Sequence, residues 1–370
     1  MRLFGRRGSR EGARPALSRT GTGVALGEWP RSYEAQVRDA FAGNAIAQRA
    51  VKLVAESVAA APIAASVPAL ATLVATRSGG QALLESAAAQ LLLHGNAYVQ
   101  LLRDGAGETG GVAALYALRP ERVTVELDAG GWPTAYVYRV GERRTRLDAE
   151  GPRPDVVHIR SFNPVDDHYG MGCLGAAAGA VAVHNAAARW NKALLDNAAR
   201  PSGALVYDSG DGGALAPDQF ERLKAEMEAG FAGAGNAGRP MLLEGGLRWQ
   251  PLSLSPADMD FVGLKAAAAR EIALAFGVPP MLLGLPGDAT YANYREANRA
   301  LWRLTVLPLA GTILAGLAQG LSGWFEDATL TVDLDRVAAL SEDRERLWAS
   351  VAAADFLSVE EKRTMVGVGR

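Results

Sequence analysis

Two groups of residues in this 370-residue chain have types and spacing that could do chemistry. Gly170-Met171-Gly172-Cys173-Leu174-Gly175 has the glycine spacing of a dinucleotide-binding fingerprint and leads into an Ala-rich stretch of helical character. A phosphate would sit there on backbone N–H groups at a helix N-terminus. His158, Asp166, Asp167 and His168 combine imidazole with carboxylate, the mixture used for metal ligation or general acid–base transfer. A dinucleotide- or metal-dependent enzyme is therefore one reading of the chain. Both groups fail a positional requirement. The fingerprint needs a strand ending at its first glycine, whereas strand character ends roughly ten residues earlier, before Asn163-Pro164. Asp196, at the distance a ribose-binding carboxylate would need, falls inside a helix. His158 lies on an alternating strand, where packing or hydrogen bonding is the plain role, and Asp166 and Asp167 sit in a polar loop. No Gly-x-Ser-x-Gly elbow and no Gly-Lys pair occurs, and the single cysteine, Cys173, cannot build a Cys-rich zinc site. The expectation is no catalytic residue, no metal and no cofactor.

The elements that position these residues are readable from periodicity. Ile46, Ala50, Leu53, Val54 and Val58 keep helical spacing and stop before Pro62; a second helix is predicted from Gln81 to Leu93. Strand character follows at Ala97–Arg103, Val112–Leu118, Val123–Leu127, Thr134–Val140 and Val156–Ile159. Gly105, Gly107, Gly130 and Gly131 mark antiparallel hairpin turns, so the fold class is α+β. Residues 175–198 form a helix with a stripe of Ala177, Val181, His184, Ala188, Asn191 and Leu195. An insert from Pro201 to Pro251 reads as a strand (Ala204–Tyr207), a helix (Pro217–Gly230) and two strands (Met241–Glu244, Leu247–Leu252). Ser255 is then placed to N-cap a second long helix, with Pro256 at its first position and Asp258 in its first turn. Its apolar stripe is Phe261, Leu264, Ala268, Ile272 and Phe276, and Gly277 with Pro279-Pro280 ends it. An insert between two long helices stands at the far end of a helical stalk, because both connections leave from helix ends. A turn at Tyr291-Ala292-Asn293, a largely helical Arg295–Leu321, a strand at Thr329–Val332, a helix at Ser341–Ala354 and a capping box at Ser358 and Glu361 complete the chain.

Composition narrows the function classes. Hydrophobic residues make up 49% and charged residues 21%, which is ordinary for a folded protein of two or three domains. One cysteine means no internal disulfide, so folding in the cytoplasm is the default. Net charge is -2, but residues 1–20 hold six arginines against Glu11, leaving the rest at -7. A mildly acidic body argues against tight nucleic-acid binding, which depends on Lys and Arg displacing counterions. It leaves open both loose handling of nucleic acid and no contact with it at all. The Arg-rich start, broken by Gly5, Gly8, Gly12 and Pro15, reads as a disordered basic arm over 1–25. Leu304 to Phe325 carries no charge and is long enough to span a bilayer, so a membrane pore is a further alternative. Pro308, Gly311, Gly316 and Gly320 dilute its apolarity, and a buried helix broken near Gly320, without membrane insertion, is expected. Trp190, Trp249, Trp302, Trp324 and Trp348 are not interleaved with a basic cluster and read as core or subunit-contact residues.

Several motifs, in order, are similar to those of one family. They are Gly43-Asn44 before the first helix, Gly95-Asn96-Ala97-Tyr98-Val99, Leu118-Arg119-Pro120-Glu121-Arg122-Val123, His158-Ile159 followed by Gly170, Pro201-Ser202-Gly203, Trp249, and the stretch Ser255 to Asn293. With them the chain resembles, over most of 40–370, the portal proteins of tailed double-stranded DNA phages, chiefly the shorter type of long-tailed phages. Tyr291 through Leu307-Pro308 is especially similar to portals of prophages and gene transfer agents. Gly170-Met171-Gly172-Cys173-Leu174 departs from the Gly-Leu-Ser-Pro-Leu common in relatives, and a Pro-Asn element is missing around Thr76 to Gly80. The resemblance implies a ring-forming dodecamer at one capsid vertex, with an antiparallel-sheet wing carrying helices (26–174), a two-helix stem (175–198 and 256–277) and a small α/β clip (199–255). It further implies a channel loop (278–293), a wing helix with a returning strand (294–340) and small crown-like helices (341–370). Stem packing would fall to Phe261, Leu264, Ala268, Ile272, Val181 and Leu195. Gly287, Asp288, Ala289, Thr290, Tyr291 and Asn293 would form the loop facing DNA. The implied partners are other copies of the chain, double-stranded DNA without sequence specificity, a terminase large subunit, a head-tail adaptor and the major capsid protein, with no membrane. The implied place is the portal vertex of a virion or phage-like particle.

Overall fold

The computed structural model describes residues 32–78, 80–105, 110–196, 203–207, 216–231, 247–251, 260–285 and 290–367, so the expected basic arm lies outside the described residues. Two units are present, one formed by 1–178 with 272–370, the other by 179–271.

The first unit opens with α1 (Tyr33–Gln36), capped by Ser32, and a π turn over Val37–Ala42. Asn44 then starts α2 (Ala45–Ala59) by accepting from the Ile46 and Ala47 amides, and Ala47, Ala50, Val51, Val54 and Val58 form its buried stripe. β1 (Ile63–Ala65), α3 (Pro68–Val74) and a tight hairpin of β2 (Arg77–Ser78) and β3 (Gln81–Ala82) lead into α4 (Leu83–His94). The strands β4 (Asn96–Arg103), β5 (Val112–Leu118), β6 (Val123–Leu127), β7 (Pro133–Val140), β8 (Arg143–Asp148) and β9 (Val156–Arg160) form two antiparallel sheets, ordered β5-β4-β9 and β6-β7-β8. Between them lies a core of Tyr98, Leu118, Val123, Val125, Tyr136, Leu147 and Val156. Sequence periodicity missed α3 and β8. Arg-Arg-Thr-Arg-Leu-Asp has little strand character, yet its register sets Leu147 opposite Tyr136 on the core side, while Arg144 and Arg146 alternate to the exposed side.

The second unit holds most of α5 (Leu174–Asp196), then β10 (Gly203–Tyr207), α6 (Pro217–Phe231), β11 (Leu247–Pro251) and most of α7 (Phe261–Ala275). β10 and β11 pair antiparallel from Gly203 opposite Pro251 to Tyr207 opposite Leu247. The strand expected at Met241–Glu244 lies outside the described residues. The described part of the second long helix runs from Phe261, and Pro256 lies outside the described residues. Asp260 carries φ +38 and its Oδ1 accepts from the Gly263 amide, so the chain enters the helix there; Ser255 and Asp258 lie outside the described residues.

Back in the first unit, Gly277 ends α7 in the left-handed conformation and a 3-10 turn spans Pro280–Leu283. α8 (Tyr291–Leu301), a π turn (Trp302–Val306) and α9 (Leu307–Leu321) form one continuous 31-residue helix, long and apolar enough to cross a membrane by length and composition alone. The π turn precedes Pro308, which has no N–H to give an i→i−4 ladder. Ala310, Ile313, Leu314, Leu317 and Leu321 are buried on one side of α9, which packs against α4, β9 and β12 (Leu330–Val332). Its opposite side is exposed, so the expected buried helix is buried on one face only. β12 pairs with β1, Ile63 opposite Val332. α10 (Ser341–Ala352) and α11 (Val359–Val366) follow, the latter opened by the predicted Ser358–Glu361 capping box.

Candidate functional site

The residues singled out for chemistry converge where the chain crosses itself between α4 and the loop after β9. Gly95, with φ +84, closes α4 and turns directly into β4. Its carbonyl accepts from Ser161, and the Cys173 amide donates to Leu92. Side chains cannot enter this crossing. A Cβ at Gly170 would overlap the Gly95 carbonyl oxygen, and one at Gly172 would lie 2.6 Å from the Leu93 oxygen. β9 ends at Arg160, so no strand leads into Gly170. Gly170 and Gly172 thus serve close chain approach, whereas a Cβ at Gly175, in the first turn of α5, would meet nothing within 4 Å.

Asn96 holds the crossing together. Its Oδ1 accepts from the Gly170 amide at 2.7 Å and from His158 Nε2 at 2.9 Å, and its Nδ2 donates to the Gly170 carbonyl at 3.2 Å. Its relative exposure is 1%. The carboxamide therefore acts as a piece of β-ladder, satisfying both backbone groups of Gly170. Since His158 gives its Nε2 proton to Asn96, its Nδ1 accepts from the Tyr136 hydroxyl, 3.1 Å away, while its ring stacks on Tyr98 at 4.3 Å. Burial, reinforced by nearby Arg160 and His94, pushes the His158 pKa down to about 3, so the imidazole is neutral. Sequence reasoning noted Asn96 only within a motif and missed its role. The available signal was an amide residue directly after a helix-ending glycine.

Asp166, Asp167 and His168 serve the same loop. Asp166 Oδ1 accepts from the amides of His168 and Tyr169, and the Tyr169 hydroxyl accepts from the Val125 amide. The Asp167 carbonyl accepts from Arg160. His168 is buried and donates through Nε2 to the Gly131 carbonyl at 2.7 Å. His158 thus bonds Asn96 and Tyr136 while His168 bonds Gly131, and no metal-ligating group of three or more His, Cys, Asp or Glu exists among the described residues. Burial raises the Cys173 thiol pKa, which disfavours the reactive thiolate.

The second candidate region lies around the α7–α8 connection. Gly287, Asp288 and Ala289 lie outside the described residues. Thr290 is the N-cap of α8, its hydroxyl accepting from the Asn293 amide at 3.2 Å. Tyr291 and Asn293 therefore belong to the first helical turn and not to a loop running to 293. Thr290, Tyr291 and Asn293 are all exposed, Tyr291 at 83%. Farther along, Arg295 and Arg299 pair with Glu342 at 2.7 and 3.0 Å, and Arg299 also approaches Glu296 and Asp343, tying this helix to α10. The Thr305 hydroxyl donates to the Gly277 carbonyl at 2.6 Å, joining the end of α7 to the π turn. Among the residues expected to pack the two long helices, Ala268, Ile272 and Val181 are buried. Leu264 is 46% exposed, and the side chains of Phe261 and Leu195 lie outside those described.

A family model described as phage portal protein matches residues 45–367. The chain belongs to the phage portal protein family. An uncharacterized protein of Rickettsia bellii (strain RML369-C) is 38% identical over 349 residues, covering 89% of this chain and 88% of its own length. A probable portal protein of Streptomyces phage phiC31 is 25% identical over 295 residues, covering 76% of this portal chain and 62% of that protein. Among solved structures, a chain in the virion of a native gene transfer agent particle is 51% identical, with a TM-score of 0.70 and coverage of 94% of this chain and 96% of that one. A chain with the same figures occurs in the neck of the native particle, computed with C12 symmetry. The HK97-family phage portal protein of Corynebacterium diphtheriae, 20% identical with a TM-score of 0.58 over 83% of this chain and 96% of that one, shares the fold. The portal is thus a mixed structure of helices and antiparallel sheets similar to the HK97-family portal fold. Its Gly95-Asn96-Ala97-Tyr98 motif has a physical account: the glycine ends a helix, the amide ties in Gly170, Ala97 has no exposed surface, and Tyr98 stacks on His158.

Proposed function

We propose that this portal protein closes into a ring of twelve copies at one vertex of a phage-like capsid and forms the channel through which double-stranded DNA enters and leaves. One observation carries the reading: 51% identity across 94% of the chain with a subunit of a gene transfer agent particle whose neck was computed with C12 symmetry. The role is structural. The histidines and glycines that suggested enzyme chemistry are engaged in the chain's own fold, which leaves the enzyme reading without support in this site. In the ring, 26–174 with the chain after 294 is the wing, 175–198 with 256–277 the stem, and 199–255 the clip. The clip docks the terminase large subunit during packaging and the head-tail adaptor afterwards, and the wing meets the major capsid protein.

The channel-facing segment is 287–293, with Thr290 and Tyr291 at the mouth of α8. A mildly acidic body fits a conduit that must not grip its cargo, because each phosphate contact made through Lys or Arg adds affinity that sliding would have to break. Asp288 in that segment would repel phosphate and keep contacts weak. Light scattering with negative-stain electron microscopy of the purified, detergent-free protein tests the ring. Closed rings with a central hole are expected, and a monodisperse monomer, also when co-expressed with the other particle proteins, would sink the reading. For the channel segment, Asp288→Lys is expected to slow packaging or alter DNA retention; unaltered particles would remove Asp288 from the lumen.

A further inference from the structure

α9 contains three glycines in its interior, and the chain itself accounts for two. Gly316 and Gly320 face β9: a Cβ on Gly316 would come within 2.8 Å of Ile159 Cγ1, and one on Gly320 would overlap Val157 Cγ2. Gly311 lies on the opposite, exposed face, and a Cβ there would meet nothing within 4 Å. Glycine inside a helix costs about 1 kcal/mol relative to alanine, so the fold of one chain gains nothing from Gly311.

Its surroundings are equally unlike a solvent face. Leu304, Pro308, Thr312 and Ala315 share the exposed side at helical spacing, and Leu304 is 77% exposed. No charged residue occurs from 304 to 324, although exposed helix faces ordinarily carry charge. The Thr312 hydroxyl already donates to the Pro308 carbonyl, so this face offers few free polar groups. Only 33% of the helix's most apolar 18-residue window is buried within the chain.

We infer that this face, centred on Gly311 and bounded by Leu304 and Ala315, is covered by a neighbouring copy of the same chain, and that Gly311 lets the neighbour's backbone approach closely. The inference rests on the ring reading and specifies which surface closes the ring. A cyclic ring needs two unlike faces on every subunit, one of which must be apolar enough to hold. The C12 neck contains a chain 51% identical to this one, which makes a second copy the occupant with a precedent. DNA is disfavoured here because an uncharged surface releases no counterions.

The test compares wild type, Gly311→Gln and Ala315→Arg, each co-expressed with the other particle proteins. Light scattering and negative-stain microscopy count rings, and thermal melts follow the unassembled subunit. The expected result is a subunit that melts no lower than wild type in at least one variant, with closed rings reduced at least about tenfold, the equivalent of about 1.4 kcal/mol. Rings at the wild-type level in both variants overturn the inference and leave the ring reading intact. A wild type that never closes rings overturns the reading and the inference together. Flotation of the wild type with phosphatidylcholine–phosphatidylglycerol vesicles, lost in Gly311→Gln, would assign the face to lipid and overturn the inference as well.

Discussion

The crossing at Gly95, Gly170 and Gly172 and the outer face of α9 both carry glycines where a larger residue would be the default, but for opposite reasons. At the crossing every glycine faces backbone a few ångströms away, and Asn96 satisfies both backbone groups of Gly170. On the outer face Gly311 faces empty space. A special residue that its own chain explains is part of the fold. One that its own chain does not explain points outward, to something not in the chain. Applied to the chemistry-bearing residues, the same distinction places His158, Asp166, His168, Gly170 and Gly172 in the fold, each engaged by its own chain.

The contrast can be broken by substitution. Gly170→Ala should have the largest effect, destabilising the unassembled subunit by about 4 kcal/mol or leaving it unfolded, because neither strand of the crossing can retreat. Urea melts check it, and a loss below about 1 kcal/mol would show the crossing to be loose. Asn96→Ala should cost about 3 kcal/mol by stranding the Gly170 groups and His158 Nε2 in the interior. A third probe is pH. Burial holds the folded His158 pKa at about 3, below its unfolded value, so the unfolded chain takes up the proton first as pH falls. This contribution to stability is complete above about pH 6.5 and declines toward pH 3, with about 2 kcal/mol lost by pH 5. Melts at pH 7 and pH 5 of wild type and His158→Gln measure it; identical slopes would place His158 in contact with water. The smallest effect belongs to the other face. Gly311→Ala should stabilise the unassembled subunit by about 0.5–1 kcal/mol, whereas Gly316→Ala should destabilise it. A destabilised Gly311→Ala subunit would mean that the chain does need that glycine.

Much of the framework was legible in the sequence because local signals and tertiary structure agree. Val112–Leu118 and Val123–Leu127 were bounded correctly, as alternation over a one-sided core requires, and the Ser358–Glu361 box forms as its spacing predicts. β8 was hidden because only Leu147 faces fully inward, and α3 because its N-cap residue, Val67, has no side chain that can accept from the helix amides. The start of α8 was misplaced by a few residues: Tyr291 and Asn293 read as a turn, but Thr290 supplies the cap and draws both into the helix. The candidate site was legible in residue type but not in role. Nothing local shows that His158 pairs with an amide 62 positions away, since that contact exists only once β9 has joined β4.

The β1–β12 pairing has a consequence for synthesis. Its register sets Ile63 against Val332, so the first strand of the body finds its partner only after almost the whole chain, including all of 179–271, has left the ribosome. Domains tend to fold in the order they emerge, and pairings this distant along the chain close last. An unfinished or truncated chain therefore lacks the closed body, and translation itself filters the subunits on offer to a growing particle.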